Sequence, residues 1–304
     1  MGMTTILKLT DQVRDLINND LVREALLPEQ PEQLFVCLDT IEDTQEAIKS
    51  FRTGEMPKEW GIKYLWLYGA LQATYVQQDA IRHLCECYGL EIGFSMREFQ
   101  PRSIRNASAG HPTRQDRGVL KPPHYNSIQR TSISTSGFRM MTVNGEGSHT
   151  YQDVDLAALF DEQAQQIEGC LNRVVDSLKL KAQEQAAPHL QSPLARIFDL
   201  ADHLVQKVVE LAGGDNDEWN YSAADSLEEK FVEVEAALEA RSLFEPDEYF
   251  HSELSKLKLA LRRACELSGA EAEIHASFLR QAFGPFVKEL AGVDKELERL
   301  ALVD

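Results

Sequence analysis

The stretch WGIKYLWLYGALQATYVQQDAIRHLCECYG, residues 60–89, decides the fold class. It is unusually aromatic and apolar, with Tyr64, Leu65, Trp66, Leu67, Tyr68, Leu71, Tyr75, Val76, Ile81 and Leu84. The pattern predicts a long helix from Trp60 to Tyr88, buried on more than one face and stopped by Gly89. Tyr64, Trp66 and Tyr68 are expected in the core rather than as base-stacking platforms.

Helical signals continue on both sides. Residues 4–27 read as one or two short helices that Pro28 and Pro31 break. From Gln33 to about Arg52, apolar residues recur at three- and four-residue steps, and Thr53-Gly54 with Pro57 marks the turn. Downstream, Pro101 to Ala109 reads as a short helix with Gly110 just past its end. Pro112 then keeps His111 out of the helical region, immediately beyond that end.

After a basic loop at 113–124 the period changes, and strands are expected near 125–134, 138–143 and 148–152. Asp153 or Asp155 caps the next helix. Its seam is Leu156, Phe160, Ala164, Ile167, Leu171, Val174 and Leu178, and it runs to about Ala186. Pro188 and Pro193 mark a boundary. Further helices follow near 194–212, 223–242, 247–268 and 271–283, with another after Gly284-Pro285. The expected protein is mainly α. A helical bundle over 1–190 carries a small inserted antiparallel β meander at about 125–152, and an acidic all-α domain occupies 191–304.

The 304 residues hold 49 Asp plus Glu against 31 Lys plus Arg, a net charge of −18. A uniformly negative surface would exclude non-specific attraction to nucleic acid or anionic lipid. The charge is not uniform. Residues 1–150 carry 18 acidic and 16 basic residues, whereas 151–304 carry 31 acidic and 15 basic. Arg97 to Arg139 holds eight basic residues opposed only by Glu98 and Asp116, a net of +6. No membrane span and no signal peptide are expected, and five scattered cysteines suit a reducing, cytoplasmic setting. His83-Leu84-Cys85-Glu86-Cys87 has no second ligand pair at zinc-site spacing, so neither a metal nor a cofactor is expected.

Inside the basic segment, Ile104-Arg105-Asn106-Ala107-Ser108-Ala109-Gly110-His111-Pro112 brings three useful side chains close in sequence. Arginine matches phosphate oxygens with a rigid fork of donors. Histidine exchanges protons near neutral pH, and asparagine can orient either group. Together they suit cleavage of an RNA phosphodiester by 2′-hydroxyl attack, where positioning and charge stabilisation carry the rate. On a continuous helix, Arg105 and His111 stand about 240° apart. The break at Gly110-His111-Pro112, or a second copy across a two-fold axis, relaxes that limit. The plainer alternative is an exposed helix charge at Arg105 and a C-terminal cap at His111. Ser108 has no neighbouring base spaced to make it a nucleophile.

Arg105-Asn106, five intervening residues and then His111 resemble the signature of the HEPN superfamily (higher eukaryotes and prokaryotes nucleotide-binding). Tyr64-Leu65-Trp66-Leu67-Tyr68-Gly69 and Gln77-Gln78-Asp79-Ala80 are similar to the long bundle helix preceding that motif in bacterial members. The resemblance covers roughly residues 60–155. It implies a dimerising bundle with a composite site and metal-independent endoribonuclease activity, often in a toxin or abortive-infection effector. Arg105, Asn106 and His111 match the catalytic motif residue by residue. The meander departs from a bare bundle.

Arg102, Arg114, Arg117, Lys121 and His124 are candidate RNA contacts, against the alternative of a solvated loop. A non-catalytic module binding RNA, a nucleotide or a partner protein is the rival reading, and a helical scaffold is a third. The acidic second half reads first as a solvated helical surface. It could also dock on the basic segment, or serve as a platform for an antitoxin or sensor.

Overall fold

The computed structural model describes residues 2–92, 100–110, 112–113, 124–212, 217–245 and 248–302, with the side chains of 2–4 and 217–221 left aside. The protein is mainly α, with one three-stranded antiparallel sheet ordered β1-β2-β3. The helices are α1 (Gly2–Ile17), α2 (Arg23–Leu26), α3 (Pro31–Thr53), α4 (Trp60–Cys87) and α5 (Gln100–Arg105). A π-helical turn at Asn106–Gly110 follows, then β1 (His124–Ile128), β2 (Gly137–Asn144) and β3 (His149–Asp155). The remaining helices are α6 (Leu156–Ala186), α7 (Asp202–Leu211), α8 (Asp217–Glu239), α9 (Tyr249–Glu266) and α10 (Gly269–Ala301). Two compact units result, one of Met1–Leu16 and Leu27–Leu178, the other of Ile17–Leu26 and Lys179–Asp304. Among the described residues, no helix is long and apolar enough to cross a membrane.

In the first unit, α3 and α4 form a helical hairpin. Pro31 begins α3, where a missing N–H costs nothing. Leu34, Cys37, Leu38, Ile41, Gln45 and Ile48 bury one stripe of it. From Leu67 onward α4 is buried over about half its circumference: Leu67, Leu71, Thr74, Gln78, Ile81 and Cys85 lie along one line, and Ala70, Ala73, Gln77, Ala80 and Leu84 widen it. Burial on more than one face therefore holds for this part of the helix, whereas the expected core placement of Tyr64, Trp66 and Tyr68 is corrected. Leu65 is 71% exposed, Ile62 41% and Tyr68 38%, while Tyr64 and Trp66 are half-buried. The aromatic residues serve local contacts instead. Trp66 covers the hairpin turn, where a Cβ on Gly54 would lie 2.9 Å from its ring. Tyr64 touches Tyr68 at 5.6 Å and donates to the Ile128 carbonyl at 3.4 Å.

Four buried glutamines tie α3, α4 and α6 together. Gln77 donates to Gln45 Oε1 at 3.0 Å and to the Ile41 carbonyl at 3.3 Å. Gln163 donates to Gln77 Oε1 at 3.0 Å and to the Thr74 carbonyl at 3.1 Å, and accepts from Gln78 at 2.8 Å. Each amide sits at 2% exposure or less, so a missing partner would leave a desolvated polar group.

The sheet closes one end of this bundle. Phe138, Met140 and Val154 turn inward and join Phe51, Leu71, Ile104 and Phe160 in one cluster. Phe51 and Phe160 meet edge to face at 5.8 Å. Arg139 and Asp153, directly opposite in the register, form a bidentate pair at 2.6 and 3.0 Å on the exposed side. That guanidinium holds the Asp153 carboxyl below the usual carboxylate range. β1 is shorter than its sequence suggests, because a 3₁₀ turn at Arg130–Ser132 ends it. Asp153 lies within β3, and Asp155 is the cap of α6, accepting from the Ala158 amide at 3.0 Å.

In the second unit the expected helix at 194–212 is a 3₁₀ turn at Leu194–Phe198 followed by α7, with Leu200 between them at φ 63°. The expected break at Gly284-Pro285 is absent, since α10 runs through Pro285. That proline leaves the Gln281 carbonyl without its helical donor, a cost of about 3 kcal/mol. Phe283 and Phe286 flank it and are buried. They pack on Phe198 at 5.2 and 6.1 Å, and Phe286 also meets Phe250 at 6.1 Å. Burying two phenylalanines contributes roughly 1.5–3 kcal/mol each, enough to hold the helix together.

The glutamine network carries a stability prediction. Gln163→Leu keeps the volume but strands Gln77 Oε1 and the Gln78 amide. It is expected to destabilise the first unit by about 2–3 kcal/mol, read in urea unfolding through Trp60 and Trp66. An unchanged midpoint would show that the network contributes nothing.

Candidate functional site

The site forms where α5 crosses α4. Pro101 and Ile104 bury the inner face of α5. Arg102 and Arg105, one turn apart, therefore share its other face. Both guanidiniums lie over the Tyr75 ring of α4, with Cζ at 4.3 Å for Arg102 and 4.4 Å for Arg105. Arg102 also donates to the Tyr75 hydroxyl at 3.1 Å and stands 3.8 Å from Asp79 Oδ1.

Arg105 is held differently. Its Nε and Nη2 both donate to Gln72 Oε1, at 3.2 and 2.7 Å. Its Nη1 donates to Asn106 Oδ1 at 3.0 Å. Among the described residues no carboxylate pairs with it, whereas Arg14, Arg52, Arg82, Arg102 and Arg139 all stand within 4.0 Å of one. Arginine has five N–H donors. Among the described residues three are engaged, all by neutral partners, and two have no partner.

The backbone beyond Arg105 departs from the expected helix to Ala109. α5 ends at Arg105, and Asn106–Gly110 forms a single π turn. Ser108 has a clear structural role in it, donating its hydroxyl to the Ile104 carbonyl at 2.6 Å while buried. Such back-bonding distorts a helix, and a π turn shifts the angular phase of whatever follows. Gly110 ends the turn directly above the arginine. A Cβ there would lie 2.8 Å from Arg105 Nη1 and 3.4 Å from Asn106 Oδ1. Pro112 is then fastened to the sheet, its carbonyl accepting from the Asn126 amide at 2.7 Å.

Arg105, Asn106 and Arg102 are thus gathered at one place. His124 opens β1 opposite Asn144 and is half-buried, on the same strand face as Asn126 and Ile128. His111, Arg114, Arg117 and Lys121 lie outside the described residues. Four contributors, Gln72, Tyr75, Asp79 and Gly110, escaped the sequence reading. Gln72 and Tyr75 sit on α4 at i and i+3, followed by Asp79 at i+7, a polar stripe beside the buried one. That spacing was the available signal. Gly110 reads in sequence only as a helix stop, and its close approach to Arg105 has no sequence signature. Elsewhere Cys37, Cys85 and Cys170 are buried, and burial pushes the Cys37 thiol up to about 11. Among the described residues no three His, Cys, Asp or Glu side chains gather to hold a metal.

No family model, curated protein or solved structure matches the chain.

Gly110 offers a selective perturbation. Gly110→Ala places a methyl against the far end of the Arg105 side chain rather than against backbone. It should leave the melting temperature within a few degrees of wild type, because surface changes usually stay within about 0.5 kcal/mol. It should displace the Arg105 guanidinium and weaken its bonds to Gln72 and Asn106, read as a shift of the Arg105 Nε–H resonance in NMR spectra. An unshifted resonance would show that Gly110 does not constrain the arginine.

Proposed function

We propose that this protein is an endoribonuclease needing no metal, acting as a homodimer with a composite site of Arg105, Asn106 and His111. The observation that carries the reading is the Arg105 guanidinium, fixed on Tyr75 and Gln72 yet paired with no acid among the described residues. In this scheme Arg105 grips the non-bridging oxygens of the scissile phosphate and stabilises the charge that builds there. One copy's His111 takes the proton of the 2′-hydroxyl, whose oxygen attacks phosphorus. The second copy's His111 gives a proton to the departing 5′-oxygen, leaving a 2′,3′-cyclic phosphate. Asn106, bonded to Arg105, orients the pair. Arg102, Arg114, Arg117, Lys121 and His124 are the proposed contacts to the RNA backbone.

The likeness of the Arg105–His111 stretch to HEPN proteins supports the chemistry and a cytoplasmic toxin or defence role. The homodimer has a separate support. Leu65, Gly69, Gln72 and Val76 fall on one stripe of α4, and Leu65 is 71% exposed with Ile62 41% exposed nearby. An apolar surface therefore leads up to Gln72, where a second copy would complete the site.

The test is incubation of the purified protein with total RNA in the presence of chelator. Wild type should cleave and leave 2′,3′-cyclic phosphate ends. Arg105→Ala and His111→Ala should each lower the rate by at least about 10²-fold. Leu65→Lys, at an exposed position, should yield monomers in light scattering and lose cleavage with them. RNA binding without turnover in wild type would identify a binding module instead, and cleavage persisting in both single variants would dismiss this site.

A further inference from the structure

We infer that Gln72 is a positioning residue that fixes Arg105 while leaving its charge uncompensated. The inference rests on the reading of Arg105 as the phosphate-binding group. Gln72 Oε1 accepts from both Nε and Nη2, occupying one edge of the guanidinium. A glutamate there could make the same two bonds, as carboxylates do for Arg14, Arg52, Arg82 and Arg139. A carboxylate, however, would cancel the charge and compete with an incoming phosphate. The neutral amide supplies the geometry without the competition. Tyr75 supports the face of the same guanidinium, and its quadrupole attracts the cation without neutralising it. The two donors of Arg105 that have no partner among the described residues are the ones a phosphodiester can use.

Gln72 is exposed on α4, so its substitution does not threaten the core. That permits a pair of opposed variants in the full-length protein. Gln72→Glu preserves the hydrogen bonds and removes the net charge. Gln72→Met preserves the charge and removes the acceptor. The cleavage substrate is a single-stranded oligoribonucleotide, and binding is measured with its 2′-O-methylated counterpart, which lacks the attacking hydroxyl.

Gln72→Glu should lower kcat by about 10²-fold, although it is the closer mimic of glutamine. It should also reduce the slope of log affinity against log salt by about 0.7, the loss of one phosphate contact on a single strand. Gln72→Met should lower kcat by only about tenfold, for lost positioning, and keep the wild-type slope. A residue that merely packed would show neither the order of the two variants nor the change of slope. Wild-type kcat and slope in Gln72→Glu, with Arg105→Ala inactive, would overturn this inference and leave the ribonuclease reading standing. Full activity in Arg105→Ala would overturn both.

Discussion

The rotation of α4 about its own axis is the constraint on which the first unit depends. An apolar stripe alone tolerates some rolling of a helix, because hydrophobic contacts are not directional. The amides of Gln77 and Gln78 are directional, and both are fully buried against Gln45 and Gln163. A roll large enough to break them would leave several polar atoms desolvated at once, each at about 1–3 kcal/mol. The network therefore sets which way the opposite residues point. Gln72 and Tyr75 are carried on the same rigid helix, and their direction toward α5 follows from bonds on its buried side.

From there the site assembles in order. α5 is short and contributes little cohesion of its own, but Ile104 and Ala107 sink into the cluster that joins the helices to the sheet. This anchoring presents Arg102 and Arg105 to Tyr75. The π turn then uses one buried hydroxyl, that of Ser108, and one glycine, Gly110, to bring the chain back across the arginine. The bond from Asn126 to the Pro112 carbonyl fixes the exit. The meander thus holds the end of the segment that carries the candidate residues.

Much of this was legible in the sequence, and the parts that were not share a cause. Helical periodicity located α3, α4 and α6, and the change of period located the sheet. Periodicity reports a helix's own faces, not what covers them. The aromatic density at 60–68 therefore suggested enclosure, whereas Tyr64, Trp66 and Tyr68 make local contacts with the sheet, the hairpin turn and one another. Gly284-Pro285 suggested a break for the same reason. The local rule is sound, and tertiary packing of Phe283 and Phe286 outweighs it. At the site, Arg105 and Asn106 were identifiable by residue type and spacing. Gln72 was not, since a surface glutamine is ordinary until an arginine is seen resting on it.

The partner of an arginine says more about its use than the arginine does. Cations that brace a fold are best matched with carboxylates, as Arg139 is with Asp153 and Arg14 with Asp39 and Glu42. Exposed pairs of this kind stabilise only weakly, because water and salt screen them. Among the described residues Arg105 has no carboxylate partner to supply that gain, yet it is immobilised by two amides and a ring. Immobilisation before binding removes the ordering cost of a long side chain from the binding step, about 0.5–1.5 kcal/mol. Withholding a carboxylate removes the further cost of displacing it. Both effects act on affinity for an external anion and neither stabilises the fold. Neutral partners alone do not mark such a use, since the buried Arg241 is held by the Ala237 and Ser192 carbonyls and braces its own unit; Arg105 differs in being only half-buried.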